Sequence, residues 1–376
     1  MWINITKEIF DKADFKSLNY LYQILSWYPS WSKNKRYGIL IDTEKVKDTN
    51  NYKQLSLTEK SLTEFLDLEY SYYVTENSNK DYSITYRKGN NNFNLEESIV
   101  FFNQPVSIIL ENNKNDSEFI LAIIRYFGDK NGYNKAQEHL DNGWVVFENA
   151  GGCTNIPNFM ESFLKKYNSL AKKNNRKSID YFRGMIIIDS DKEYENQPIK
   201  ASHKNLIDKL SNLYIDISDI LDLQDELLNN NKTIHILEKR MMENYLPKEV
   251  FLEIARQRSI LNSVLKDWLD AFLNLNNKEQ LDFINIPDGN LFGNNSAVVD
   301  LTTLWENLGG NFIKLDSGFK FYGFNSNGNL NSSNEGSFKS EMPKWFNKPF
   351  ITKENLEIRD GNGELQRILE KITALL

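Results

Sequence analysis

The residues of this chain best suited to chemistry are carboxylates that follow apolar runs. Asp189 and Asp191 close the stretch 184–191, GMIIIDSD, one residue apart. Two like charges aimed at one point repel each other, and a cation between them relieves the repulsion. Glu111 follows Val106–Leu110 in the same way, and Asp116 comes five residues later. Glu243 and Lys239 follow a further apolar run, Thr233–Leu237. Oxygen ligands of this kind suit Mg²⁺ or Mn²⁺ before Zn²⁺. Two such ions about 4 Å apart can supply what phosphodiester cleavage needs: a nucleophile, a stabilised leaving oxygen and neutralised phosphate charge. Each residue also has a plainer reading. Asp-Ser-Asp is an ordinary turn sequence. Asp116 caps a helix as readily as it binds a metal. Glu243 at a helix start favours the macrodipole, worth about 0.3–1 kcal/mol.

Buried strands must position these groups. The runs at 106–110, 144–147, 184–188 and 233–237 are short and apolar on both faces, as in a parallel sheet. Helical patterns alternate with them. Ser117–Phe127 carries Phe119, Ile120, Ile123 and Ile124 at helical spacing, and a helix is expected over about 155–173. Right-handed crossovers gather the strand ends on one edge, so Glu111, Glu148, Asp189, Asp191 and the 238–243 segment are expected to converge there. The expected class is α/β, a Rossmann-like parallel sheet with helices on both faces over 104–376. An N-terminal α+β unit of unassigned role covers 1–103. Within it, Phe15–Trp27 reads as a helix, and 38–41, 70–74 and 82–86 as strands. A C-terminal helical extension includes Phe251, Ile254, Leu261, Leu265, Trp268 and Phe272 over 248–275 and ends in a helix over 364–376 that packs on the sheet. Asn325–Gly336 reads as a loop, and a helical break is expected near 214–219.

Composition narrows the function classes. The 376 residues are 40% hydrophobic and 13% aromatic, enough for a substantial core. A net charge of −7 is not that of a protein that coats nucleic acid. A local basic run, Lys172, Lys173, Arg176 and Lys177, can still steer a polyanion. One cysteine, Cys153, excludes an intramolecular disulfide, and the three scattered histidines argue against a His-based centre. No apolar run reaches the roughly 18 residues of a membrane span, and no leader pattern opens the chain, so a soluble cytoplasmic protein is expected.

The ordered set resembles the Toprim domain of type IA and II topoisomerases, DnaG-type primases and OLD-family nucleases: a strand ending in Glu111, a strand followed by Gly151-Gly152, and a strand ending in Asp189-x-Asp191. It is most similar to the OLD-like branch, through Asp116 soon after Glu111, Glu243-Asn-Tyr245 after the fourth strand, and Met342–Phe346 ahead of an acidic helix at Glu364. Asn112 replaces the glycine usual after the Toprim glutamate, no GxxxxGK[ST] motif is present, and residues 1–103 have no counterpart in the resemblance.

The resemblance implies a stand-alone Toprim nuclease of DNA or RNA, of the kind used as an anti-phage effector. A separately encoded ATPase or regulatory partner and a homo-oligomer are open. It assigns Asp189, Asp191 and Glu111 to one ion, Asp116 and Glu243 to a second, and Lys239 to the transition-state charge. The alternatives are a degraded Toprim domain that binds a protein or nucleotide, and a phosphoryl-transfer enzyme on small substrates.

Overall fold

Val106–Leu110 (β5) and Gly184–Ile188 (β7) are buried at every position, because each lies mid-sheet with both faces covered. In the computed structural model, β5 to β8 form one parallel sheet in the order β6-β5-β7-β8, with β6 Val145–Asn149 and β8 Ile234–Ile236 at its edges. Leu110 pairs with Ile187, so Glu111 and Asp189 leave the same edge of the sheet nearly side by side. Strands β5 and β7 approach so closely that a Cβ on Gly184 would lie 2.1 Å from the Ser107 carbonyl oxygen. Only glycine fits there.

This strand order sets the site. The chain leaves β5 towards β6 in one direction and leaves β7 towards β8 in the other. The reversal opens a crevice at the carboxyl ends of β5 and β7, where open α/β sheets bind ligands. One sheet face, through Leu110 and Ile187, packs on the Asn113–Phe127 helix, on Tyr245, Phe251 and Trp268, and on Ile368 of the last helix, Glu364–Ala374. The other face, through Ile109, Ile186 and Ile188, packs on Met160 of the Ile156–Lys165 helix and Ile207 of the Ala201–Asn212 helix.

That second face also receives the N-terminal unit. Its four strands, β1 Trp2–Ile5, β2 Gly38–Leu40, β3 Tyr82–Ile84 and β4 Asn92–Phe93, form their own sheet in the order β2-β1-β3-β4. Every pairing in it is parallel, so the unit is α/β rather than the expected α+β. Trp2–Ile5, which carries no strand signal beyond four residues of mixed character, is the strand that β2 and β3 flank. The sheet is separate from the central one, yet Ile3, Ile39 and Phe102 share a continuous core with Ile186. Tyr37 Oη donates to the Phe102 carbonyl at 2.6 Å, and Arg183 of the central unit donates to the same Tyr37 oxygen. The N-terminal unit is thus fused to the face of the central sheet.

The structure describes residues 1–26, 36–58, 64, 66–68, 70–71, 82–128, 135–212, 233–256, 263–286, 304, 315, 323–324, 330–331 and 342–376. The expected helical break near 214–219, most of the 325–336 loop, Leu261, Trp27 and positions 72–74 of the expected strand lie outside them. Tyr70 and Ser71, read as the start of a strand, are helical. The expected helix over 248–275 is described as two, Lys248–Arg256 and Ser263–Leu273. Among the described residues, no helix is long and apolar enough to cross a membrane.

Candidate functional site

Backbone donors fasten the carboxylate of Glu111. Gly151 and Gly152, both at positive φ (76° and 106°), turn the chain after β6, and the Gly152 amide donates to the Glu111 carbonyl at 2.8 Å. That conformation is costly for any residue with a Cβ. It aims the next amide, of Cys153, at Glu111 Oε2 (3.1 Å), while the Asp189 amide donates to Oε1 (3.3 Å). The side chain of Glu111 therefore bridges the turns after β6 and β7.

Asp189 is tied into the turn after β8. Its Oδ1 accepts the Met242 amide at 3.0 Å, and its carbonyl accepts from His203 Nε2 at 2.9 Å. Ser190 Oγ donates to the Lys239 carbonyl (2.7 Å), and the Asp191 amide donates to the Arg240 carbonyl (2.8 Å). Asp191 lies beyond the strand, in the turn that follows it. The strand ends at Ile188, and Asp191 adopts φ +54°, a left-handed conformation that Asp tolerates better than most residues. The helix starts at Asn113, four residues earlier than expected, so Asp116 lies in its first turn and is not its N-cap; its Oδ2 accepts the Asn112 amide at 2.8 Å. That contact coexists with a role in the cluster.

Burial and neighbouring charges act together on two of these carboxyls. Burial raises the Glu111 carboxyl to about 7, helped by Asp191 and then Asp116. Burial holds Asp189 well above the ordinary carboxylate range, and Glu243, Glu111, Asp116 and Asp191 add to the effect in that order. Glu111 and Asp189 thus lie in the field of the other carboxylates, with Asp191 the strongest charge on Glu111 and Glu243 the strongest on Asp189. Burial and the charges of Glu111, Asp191 and Asp189 push the Cys153 thiol up to about 12, which leaves it protonated and unreactive. Among the described residues, no group of three or more His, Cys, Asp or Glu side chains is arranged to hold a metal ion as it stands. The carboxylates of Glu111 and Asp189 instead accept backbone amides.

Other residues lie elsewhere. Lys239, expected at the transition state, is buried with Nζ 2.5 Å from Asp282 Oδ1, and Arg359 donates to the same oxygen. Its amine serves a structural ion cluster and does not face the carboxylates. Glu148 falls inside β6, opposite Ile109, and its charge acts on Lys166. The basic run Lys172, Lys173, Arg176 and Lys177 lies just before the amino end of β7, at the opposite edge of the sheet from Asp189. Arg176 Nε donates to Glu97 at 2.7 Å, and Lys173 pairs with Glu96. Lys173 and Arg176 are thus engaged within the fold, and the run stands away from the carboxylates.

His203 is the site neighbour that sequence reasoning passed over. It is buried, and burial lowers its pKa against the opposing pull of Asp191. Nothing in the local sequence marks it. Its place follows from the packing of the Ala201–Asn212 helix on the carboxyl end of β7.

No protein-family model, curated protein or solved structure matches the chain.

The raised carboxyls give a pH signature. A carboxyl that holds its proton more tightly in the folded state loses stability for the protein as it ionises. For Glu111 that loss runs from pH about 4.5 to about 7, up to about 3 kcal/mol. In EDTA, the melting temperature is expected to fall across that window. Asp191→Asn, which suits the left-handed conformation and removes the charge acting most on Glu111, should make the fall shallower. Differential scanning fluorimetry from pH 4 to 8 checks this, and an unchanged slope in the variant counts against the coupling.

Proposed function

We propose that the chain is a metal-dependent nuclease of the Toprim type, within its OLD-like branch, that cleaves DNA or RNA. One observation supports this most: carboxylates that follow β5, β7 and β8 stand near the switch point of a four-stranded parallel sheet, and their charges add to the burial that raises the pKa of Glu111 and Asp189. Such a site binds either protons or a cation. The donor set is all carboxylate, which fits Mg²⁺ or Mn²⁺. Glu111, Asp189 and Asp191 would hold one ion, and Asp116 and Glu243 a second. Glu111 and Asp189 retain lone pairs beyond those used by the amides. Asp191 is exposed and Asp116 half-buried, so both have room to turn inward. The ions, when bound, supply an activated water and stabilise the leaving oxygen. The Cys153, Asp189 and Met242 amides orient the carboxylates, and the buried His203 holds the Asp189 backbone. An anti-phage role and a separate partner or ATPase rest on the resemblance alone.

A second reading is a Toprim-like domain that binds without cleaving. It is favoured by the amides that hold Glu111 and Asp189 and by the lack of a ready ligand group among the described residues. Titration calorimetry with Mn²⁺, run beside cleavage assays on supercoiled plasmid and single-stranded RNA, separates the two. The nuclease reading expects Mn²⁺ binding and cleavage of one substrate that EDTA abolishes. Neither heat nor cleavage would leave the binding reading.

A further inference from the structure

A cavity of about 310 Å³ lies at the seam between the N-terminal unit and the central sheet, away from the carboxylates. One wall is the segment 85–94, which carries the β3–β4 connection; the other is the turn 174–180, just before β7. The walls are held in place. Arg176 donates Nε to Glu97 at 2.7 Å, reaches the Gly89 carbonyl at 3.3 Å and also binds the Asn92 carbonyl, while its guanidinium stacks 5.0 Å from the Phe93 ring. Asp180 accepts the Lys177 amide at 3.0 Å. The two lining carboxylates are therefore engaged with the wall.

The remaining lining groups point to a ligand class. Lys88 is exposed, and among the described residues its amine makes no hydrogen bond or ion pair. Arg87 has only a loose ion pair with Glu8, at 3.8 Å. The side-chain amides of Asn90 and Asn175 also have no partner among the described residues, and each offers donors and an acceptor. The Tyr86 ring is partly exposed beside them. Two available cations suit a phosphate, and free amides with an aromatic ring suit the polar body attached to it. The volume is at the small end for ligand sites, near a mononucleotide. A nucleic-acid track would need a run of unpaired cations along an open groove, yet Lys173 and Arg176 are already paired.

We propose that this cavity binds a phosphorylated small molecule of mononucleotide size, bridging the N-terminal unit and the central sheet. Lys88 and Arg87 take the phosphate, and Asn90 and Asn175 take the sugar or base. The site is independent of the nuclease reading, because its readout is binding in the absence of divalent cations. Titration calorimetry of the full chain with adenosine 5′-monophosphate, ribose 5-phosphate, adenosine, inorganic phosphate and a short single-stranded oligonucleotide tests it.

At least one of the two phosphorylated compounds should bind at one per chain and more tightly than adenosine or inorganic phosphate. Tighter binding of the nucleotide assigns the amides to the base; tighter binding of ribose 5-phosphate assigns them to the sugar. Lys88→Glu should weaken binding at least about tenfold, as the loss of a charge-assisted hydrogen bond predicts. Asn175→Gly, which preserves the left-handed backbone at φ 52°, should weaken it several-fold. The proposal is overturned if neither phosphorylated compound binds, if both variants bind like the parent, or if the oligonucleotide binds more tightly than the monomers and is equally sensitive to Lys88→Glu.

Discussion

Asp189→Asn is expected to leave a folded protein and to abolish the nucleic-acid cleavage proposed above. Asparagine keeps the oxygen that accepts the Met242 amide, so the link between the turns after β7 and β8 survives. What is lost is the charge at the centre of the cluster, the carboxylate on which Glu243, Glu111, Asp116 and Asp191 all act. If the proposed ions bind there, turnover should drop by roughly 10³-fold or more, because a lost ligand acts on the chemical step. In EDTA the variant should instead melt higher than the parent at pH 8, since a repelling charge has gone. Cleavage at the parental rate would remove Asp189 from any catalytic role.

Glu243→Gln extends the same test. The turn that carries it, Met242–Tyr245, is a single four-residue 3₁₀ turn, too short for a dipole argument to account for the residue. Glu243 is buried and is the strongest charge on Asp189. Turnover is expected to fall by orders of magnitude with little change in melting temperature. A small stability loss with intact cleavage would return Glu243 to a structural role and favour a one-ion mechanism.

Asp282→Ala is expected to destabilise the fold by about 3–5 kcal/mol, the cost of leaving a buried charge without its partner. Asp282 takes Lys239 and Arg359 on one oxygen and Lys278 on the other, at 2.7 Å. Burial pushes its carboxyl up, but Arg359 and Lys239 outweigh that and hold it below the ordinary value. Its contribution is therefore present at neutral pH and is lost as pH falls through the depressed pKa. The alanine variant strands two cations that are 2% and 9% exposed. Lys239→Met, which removes one of the two cations and preserves volume, should cost much less and leave cleavage intact. Urea denaturation of both variants checks the order. A mild Asp282→Ala would mean that solvent reaches the cluster.

The central strands were legible because their apolar runs are short and sharply bounded. Val106–Leu110 and Gly184–Ile188 stand as read, and the fourth strand shortens to Ile234–Ile236. The third moves to Val145–Asn149, which takes Glu148 into the strand and away from the edge. Trp2–Ile5 was not legible, since its burial comes from strands that arrive more than thirty residues later. Lys239 and Glu243 show the limit most clearly. They are four residues apart and both follow β8, but one faces Asp282 and the other acts on Asp189. Side-chain direction in an irregular turn depends on what packs around it, and no periodicity encodes that.

The amino-acid order alone determined the parallel sheet, the ends at which Glu111, Asp189 and Asp191 stand, and the glycines that let the turn after β6 approach Glu111. These follow from local physics: burial on both faces, alternation, and permitted backbone angles. Tertiary structure alone decided that the strand order reverses between β5 and β7, which opens a crevice where those ends stand. It likewise decided that Lys239 is sequestered by Asp282, that Arg176 braces a seam, and that His203 lies under Asp189. Charges act through space, and only the folded chain sets the distances over which they act.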